Sequence, residues 1–118
     1  MPAYAVRINA TDVLQRLAKK NEQYRKALSE ELDRVASGIE AAAKQLVPIR
    51  TGYLWSTIFH RTEGLTARVG AAAHYAVYVE FGTRYVSARP YLRPALEAYR
   101  QDLRELPRRA FNKISRSP

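Results

Sequence analysis

Two histidines, one acid inside an aromatic run and a series of arginines are the residues of this chain with chemistry to offer. Neither His60 nor His74 has a second histidine three or four residues away, and the chain has no cysteine, so no metal-ligand spacing is present. His60 falls in a strand-like run, as a partly exposed polar position. His74 opens a short helical run, as a cap or interface residue. There is no glycine-rich phosphate loop and no GxSxG turn. Most acids stand among bases on one helical segment and read as surface pairs.

Glu80 is the exception, because it lies within Tyr75–Phe81, YAVYVEF. A carboxylate that becomes buried needs a partner. Arg84, Arg89 or an arginine of an adjacent subunit is expected to supply it; the alternative is an exposed Glu on the outer side of a short helix. No second group stands ready to make Glu80 a general base. The chain is therefore read as non-enzymatic, with no catalytic residue, cofactor or metal. A small basic nuclease or toxin lacks its acid/base set.

The arginines lean toward an anionic partner. Twenty bases face eleven acids, a net charge of +9. Arg93, Arg100, Arg104, Arg108, Arg109 and Lys113 lie in the C-terminal segment. With Arg116 they make seven bases against Glu97, Asp102 and Glu105, a net of +4. The helical spacing of Arg93, Arg100 and Arg104 suits a DNA-facing stripe, or equally a solvated face opposite a leucine stripe. No sequence-reading motif accompanies it.

These residues need a scaffold. At 118 residues the chain is expected to form one domain over 1–118, with a frayed end near 115–118. The N-terminus lacks the layout of a signal peptide, and no apolar run reaches membrane-spanning length. Residues 4–8 predict a strand, and Thr11 or Asp12 a helix cap. Apolar positions at threes and fours, from Leu14 to Leu46, then predict one helix of about 36 residues, interrupted in its stripe only at Asn21. At ~1.5 Å per residue it is roughly 54 Å long, against about 35 Å for a compact domain of this size. The helix must kink, with Gly38 the weak point, or pack on a neighbouring chain. Pro48 ends it.

One helical turn at Tyr53–Ile58 leads into strands over 56–63 and 65–70, joined at Glu63-Gly64. Tyr75, Tyr78 and Val79 make one face of a short helix that Gly82 ends. Residues 83–89 form a loop or brief strand. Pro90 starts a last helix carrying Leu92, Leu96, Tyr99, Leu103 and Leu106, which Pro107 kinks or interrupts. The fold class is α+β: a small antiparallel β-sheet backed by a long N-terminal helix and a C-terminal helix, with a short helix between.

Three blocks, Val47–Ile58, His74–Thr83 and Ala88–Ala95, stand in an order and spacing that resemble the small tail-component proteins of long-tailed bacteriophages and prophages, the tail-completion or head–tail connector proteins. The resemblance spans about residues 10 to 105. It implies a structural virion protein of the neck or upper tail, made in the host cytoplasm. Such a protein joins head to tail or completes the tail as an oligomeric ring, in contact with the head connector and the tail terminator or tube. Its structural and interface residues would be Thr51, Gly52, Leu54, Tyr75, Tyr78, Glu80, Phe81, Gly82, Arg89, Pro90 and Tyr91. Arg50 replaces the family's acidic or polar residue before Thr-Gly, so no charge pairing carries over to that turn. A basic face along a channel would give non-specific DNA contact. The alternative is a small basic nucleic-acid-binding protein without sequence specificity.

Overall fold

The computed structural model describes residues 4–48 and 52–115. Strand β1, Tyr4–Asn9, leads to Thr11, whose extended backbone (φ −65°, ψ 162°) lets its hydroxyl accept from Leu14 N at 3.4 Å. That cap starts α1, Asp12–Lys20.

The expected single long helix breaks at Asn21, not at Gly38. Asn21 is extended (φ −139°, ψ 105°); it closes α1 and its side chain accepts from Tyr24 N at 3.1 Å, capping α2, Glu22–Leu46. A short amide side chain satisfies an exposed first-turn donor better than it tolerates a helix interior. Gly38 stays helical, and the ring of Tyr99 lies over it in the space a side chain would take. At 25 residues, α2 is about 37 Å long. The molecule is drawn out to 56 × 22 × 20 Å, so the helix is accommodated without an overhang. Tyr24, Leu28, Leu32, Val35 and Ile39 of the predicted stripe are buried, whereas Leu17 and Leu46 at its ends are about half exposed.

Val47 leaves α2 in extended conformation ahead of Pro48, its amide donating to Ala43 O at 2.9 Å. The turn residues 49–51, Thr51 and Arg50 among them, lie outside the described residues, as do 116–118 of the expected frayed end. Helix α3, Gly52–Thr57, takes two residues expected in the next strand. The Thr57 hydroxyl donates to Leu54 O (2.9 Å) and accepts from Ala73 N (3.2 Å), which ties that turn to the chain beyond the sheet.

Strands β2, Ile58–Glu63, and β3, Thr66–Ala71, form a hairpin around Gly64, whose φ of +59° is costly for other residues. Ser29 of α2 pins the hairpin tip by donating to Gly64 O at 2.7 Å. The sheet is antiparallel in the order β1-β3-β2. Its register sets Tyr4, Ala71 and Ile58 in one inward row, then Val6, Val69 and His60, then Ile8, Ala67 and Thr62. Helix α2 packs on this inner face and also carries the C-terminal helices. His60 is half buried between two acids of α2, with Nε2 3.5 Å from Asp33 and Nδ1 3.3 Å from Glu40. The Nδ1 contact has ion-pair distance but not hydrogen-bond alignment.

Helix α4, Ala76–Phe81, ends at Gly82 (φ +77°), as predicted. The last helix does not begin at Pro90. It begins at Leu92 and comes in two pieces, α5 (Leu92–Ala98) and α6 (Arg100–Ser115), separated at Tyr99. Pro107 lies within α6 without interrupting it. Leu106 and Ala110 on either side are buried, and Pro107 O accepts from the Tyr24 hydroxyl at 3.5 Å. Tertiary packing on α2 here outweighs the local cost of the ring. Among the described residues the fold is six helices and a three-stranded antiparallel sheet, an α+β arrangement.

Candidate functional site

The site builds up from Glu80. Among the described residues it is the one charged residue in the core, with no exposed surface. Its Oε1 accepts from the amides of Tyr91 (3.2 Å) and Leu92 (2.9 Å). Its Oε2 accepts from the amide and the Nε of Arg93, each at 3.1 Å. All four groups are donors, the set that an ionised carboxylate requires. Glu80 therefore caps α5 from a distance of eleven to thirteen residues, doing for that helix what an N-cap side chain usually does.

The expected partners were different. Neither Arg84 nor Arg89 pairs with Glu80, and the exposed-Glu alternative is excluded by its burial. Arg84 lies instead against the Tyr85 ring at 5.8 Å, and Arg89 is held by its backbone amide, which donates to Val79 O at 2.8 Å. The chain returns to α4 at the first turn of α5, which brings Arg93, not the loop arginines, to the carboxylate. Arg93, assigned from sequence to a DNA-facing stripe, thus has a structural role. Its guanidinium also covers the Phe81 ring at 4.5 Å, and Phe81 in turn meets Tyr4 edge-on at 5.6 Å.

Tyr91 is fully buried, and its hydroxyl donates to Ala76 O at 3.2 Å. Burial, with the nearby Glu80 charge adding to it, pushes its pKa far above the usual tyrosine range. Tyr4 is raised for the same two reasons, offset in part by Arg93. Leu54 is also core. Gly82 is required: its φ is positive, and a Cβ would stand 2.7 Å from Ala88 N and 2.9 Å from Val86 O. Gly52 starts α3 with open space around it, and Pro90 is an exposed loop residue. Tyr75 is half buried against Tyr53 (6.4 Å) and His74 (5.1 Å); His74 itself is exposed and does not cap α4.

Between Gly82 and Pro90 the chain makes an exposed loop. The Thr83 amide donates to Val86 O at 2.8 Å, and the Thr83 hydroxyl accepts from Tyr85 N and Val86 N. Tyr85 is 85% exposed at its tip. Beside it, Pro48, Tyr75, Tyr78, Val79, Val86 and Arg89 help to line a predominantly apolar groove. Tyr53, Trp55, Tyr78, Phe81 and Val86 also leave much of their surface in solvent. Sequence reasoning had named only the first part of this surface; the loop tip, Tyr53 and Trp55 carry no signal of exposure in their types.

The C-terminal bases are largely occupied. Arg100 pairs with Glu97 (3.1 Å), Arg108 with Glu105 (3.0 Å), and Arg109 with Asp102 (3.2 Å) and Glu105 (3.0 Å). Lys113 reaches across to Glu30 on α2 at 2.5 Å. The hydrogen bond from Lys113 holds Glu30 below the usual carboxylate range; bonds from Arg109 and then Gln101 do the same for Glu105. Arg104 alone of the six proposed DNA-facing residues has no ion pair among the described residues. No cluster of three or more His, Asp or Glu suited to a metal occurs among the described residues. No described helix is long and apolar enough to cross a membrane.

The elongated α+β body thus combines a fully satisfied buried acid with an exposed aromatic surface. The chain matches the family model described as "Bacteriophage HK97-gp10, putative tail-component" over residues 11–82, more than half its length, and belongs to that family. The match runs from the cap of α1 to the glycine that ends α4. No curated protein and no solved structure matches the chain.

Proposed function

We propose that this phage tail component is a non-catalytic virion protein of the neck or upper tail, acting in head–tail joining or tail completion as a member of a homo-oligomeric ring. The observation that carries this reading is the aromatic surface around the 83–90 loop, with Tyr78, Tyr85 and Val86 exposed beside an apolar groove. Large aromatic side chains held in solvent on a braced loop are characteristic of interface cores. The partners are neighbouring copies, the head connector, and the tail terminator or tube.

Deletion of the gene should leave filled heads and separate tails in lysates viewed by electron microscopy. Complementation with Tyr85→Ser/Val86→Ser, a loop-tip change that removes no buried contact, should give a folded protein but few joined virions. Normal joined virions from the deletion strain would sink the reading.

A further inference from the structure

We propose that the exposed face of the β-sheet is a binding surface for the phosphate backbone of double-stranded DNA. The strand register places Arg7 of β1, Arg68 of β3 and Arg61 of β2 directly beside one another. All three are exposed. With strands about 4.8 Å apart, three guanidinium-bearing residues stand within ~10 Å on one face. Like charges placed opposite one another destabilise a sheet, so the row is a cost to the isolated chain. Among the described residues only Arg61 has a counter-charge, Glu63 at 2.8 Å, and that pair is exposed on both sides.

The surface around the row suits an extended anion. The three arginines, Glu63 and Thr66 line one shallow cleft. At Thr66 it adjoins a second, where α1 contributes Gln15 and Lys19 and α2 contributes Arg25, whose own counter-ion Glu22 is 3.7 Å away. Of the outward neighbours, Ala5, Gly70, Asn9 and Thr66 are small or polar and Phe59 is half buried, so a backbone can approach closely. The face carries one aromatic, the half-buried Phe59 beside Gly70, and a single ring gives no run of platforms for successive unpaired bases, which favours a duplex over a single strand. Arginine forks match phosphate oxygens in pairs.

A second copy of the chain is a poor occupant. Of its eleven acids, eight already stand within 4 Å of an Arg or Lys of the same chain, Asp33 and Glu40 flank His60, and Asp12 has no such partner among the described residues. The protein has little spare acidic surface to lay on its own arginine row. The needed negative charge comes from outside.

The test is fluorescence anisotropy of the full chain on a duplex of about 30 bp, from about 50 to about 200 mM salt. Binding should weaken with salt at a log–log slope near −3, as for about three neutralised phosphates. Arg7→Gln/Arg68→Gln should bind at least about tenfold more weakly at the lowest salt and lose about two units of slope. Arg100→Gln/Arg108→Gln, on α6, should bind as the parent does. Melting curves serve as the folding control, and the Arg7→Gln/Arg68→Gln protein should melt no lower than the parent. Undiminished DNA binding by that variant overturns the proposal, as does absence of binding by the parent at the lowest salt. Equal affinity for polyglutamate at matched charge would assign the face to an acidic protein and equally overturn it.

Discussion

Glu80 sets the terms at the scale of single residues. It meets three backbone amides and one guanidinium, and these contributions are separable. Glu80→Ala leaves buried donors of the first turn of α5 without acceptors and should cost on the order of 3 kcal/mol in urea unfolding, with m unchanged. Arg93→Gln keeps the carboxylate on its amides and removes only a half-exposed partner, for about 1 kcal/mol or less. Equal losses in the two variants would refute the helix-capping role. Titration adds a second check. Glu30 and Glu105 lie below their ordinary 4.5, so the folded chain binds fewer protons than the unfolded chain there. Their stabilisation is complete above pH 4.5 and fades as pH falls through the lowered values. Tyr91 lies above its ordinary 10.0, so its contribution is complete below pH 10 and fades as pH rises. A melting-temperature profile should fall at both ends. Lys113→Met should flatten the acid limb, and an unchanged limb would count against the Lys113 contact.

The elements show which signals in the sequence were sufficient. Strand β1, the hairpin, and α4 with its terminating Gly82 were legible because each depends on neighbours within a few positions: alternation, a turn glycine, a positive φ. The break in the long helix was misplaced although both candidate residues were in view. Asn21 breaks it through a local cap; Gly38 does not, since its missing side chain makes room for Tyr99, sixty-one residues further on. That distant contact decides what happens on substitution. Gly38→Ala gains up to ~1 kcal/mol of helix propensity. It also sets a methyl 2.6 Å from the Tyr99 ring, and overpacking of this kind costs about 1–3 kcal/mol. We expect net destabilisation in chemical denaturation, and in the Tyr99→Ala background the same change should stabilise. Pro107 was misjudged for a related reason: its local cost was visible and the packing of α6 on α2 was not. The Glu80 partner required knowing where a nine-residue excursion returns, and the arginine row required the pairing of β1 with β3 across some sixty positions.

Over the whole molecule, composition gave the sign of the charge but not its distribution. The segment richest in arginine is the one whose bases are mostly paired, while Arg7 and Arg68, without an ion pair among the described residues, stand beside Arg61 on the sheet, where their spacing in sequence conceals their proximity. The elongated body of 56 × 22 × 20 Å carries a net +9, and most of its acids are already engaged within the chain. Two copies brought together in dilute salt therefore push each other away, with little free negative charge to soften the encounter. Salt screens that repulsion and also loosens a phosphate contact, so self-association and DNA binding respond to ionic strength in opposite directions. If the proposed ring and phosphate contact hold, the charge would act as a brake on premature assembly, keeping newly made copies apart in solution until a negatively charged surface gathers them.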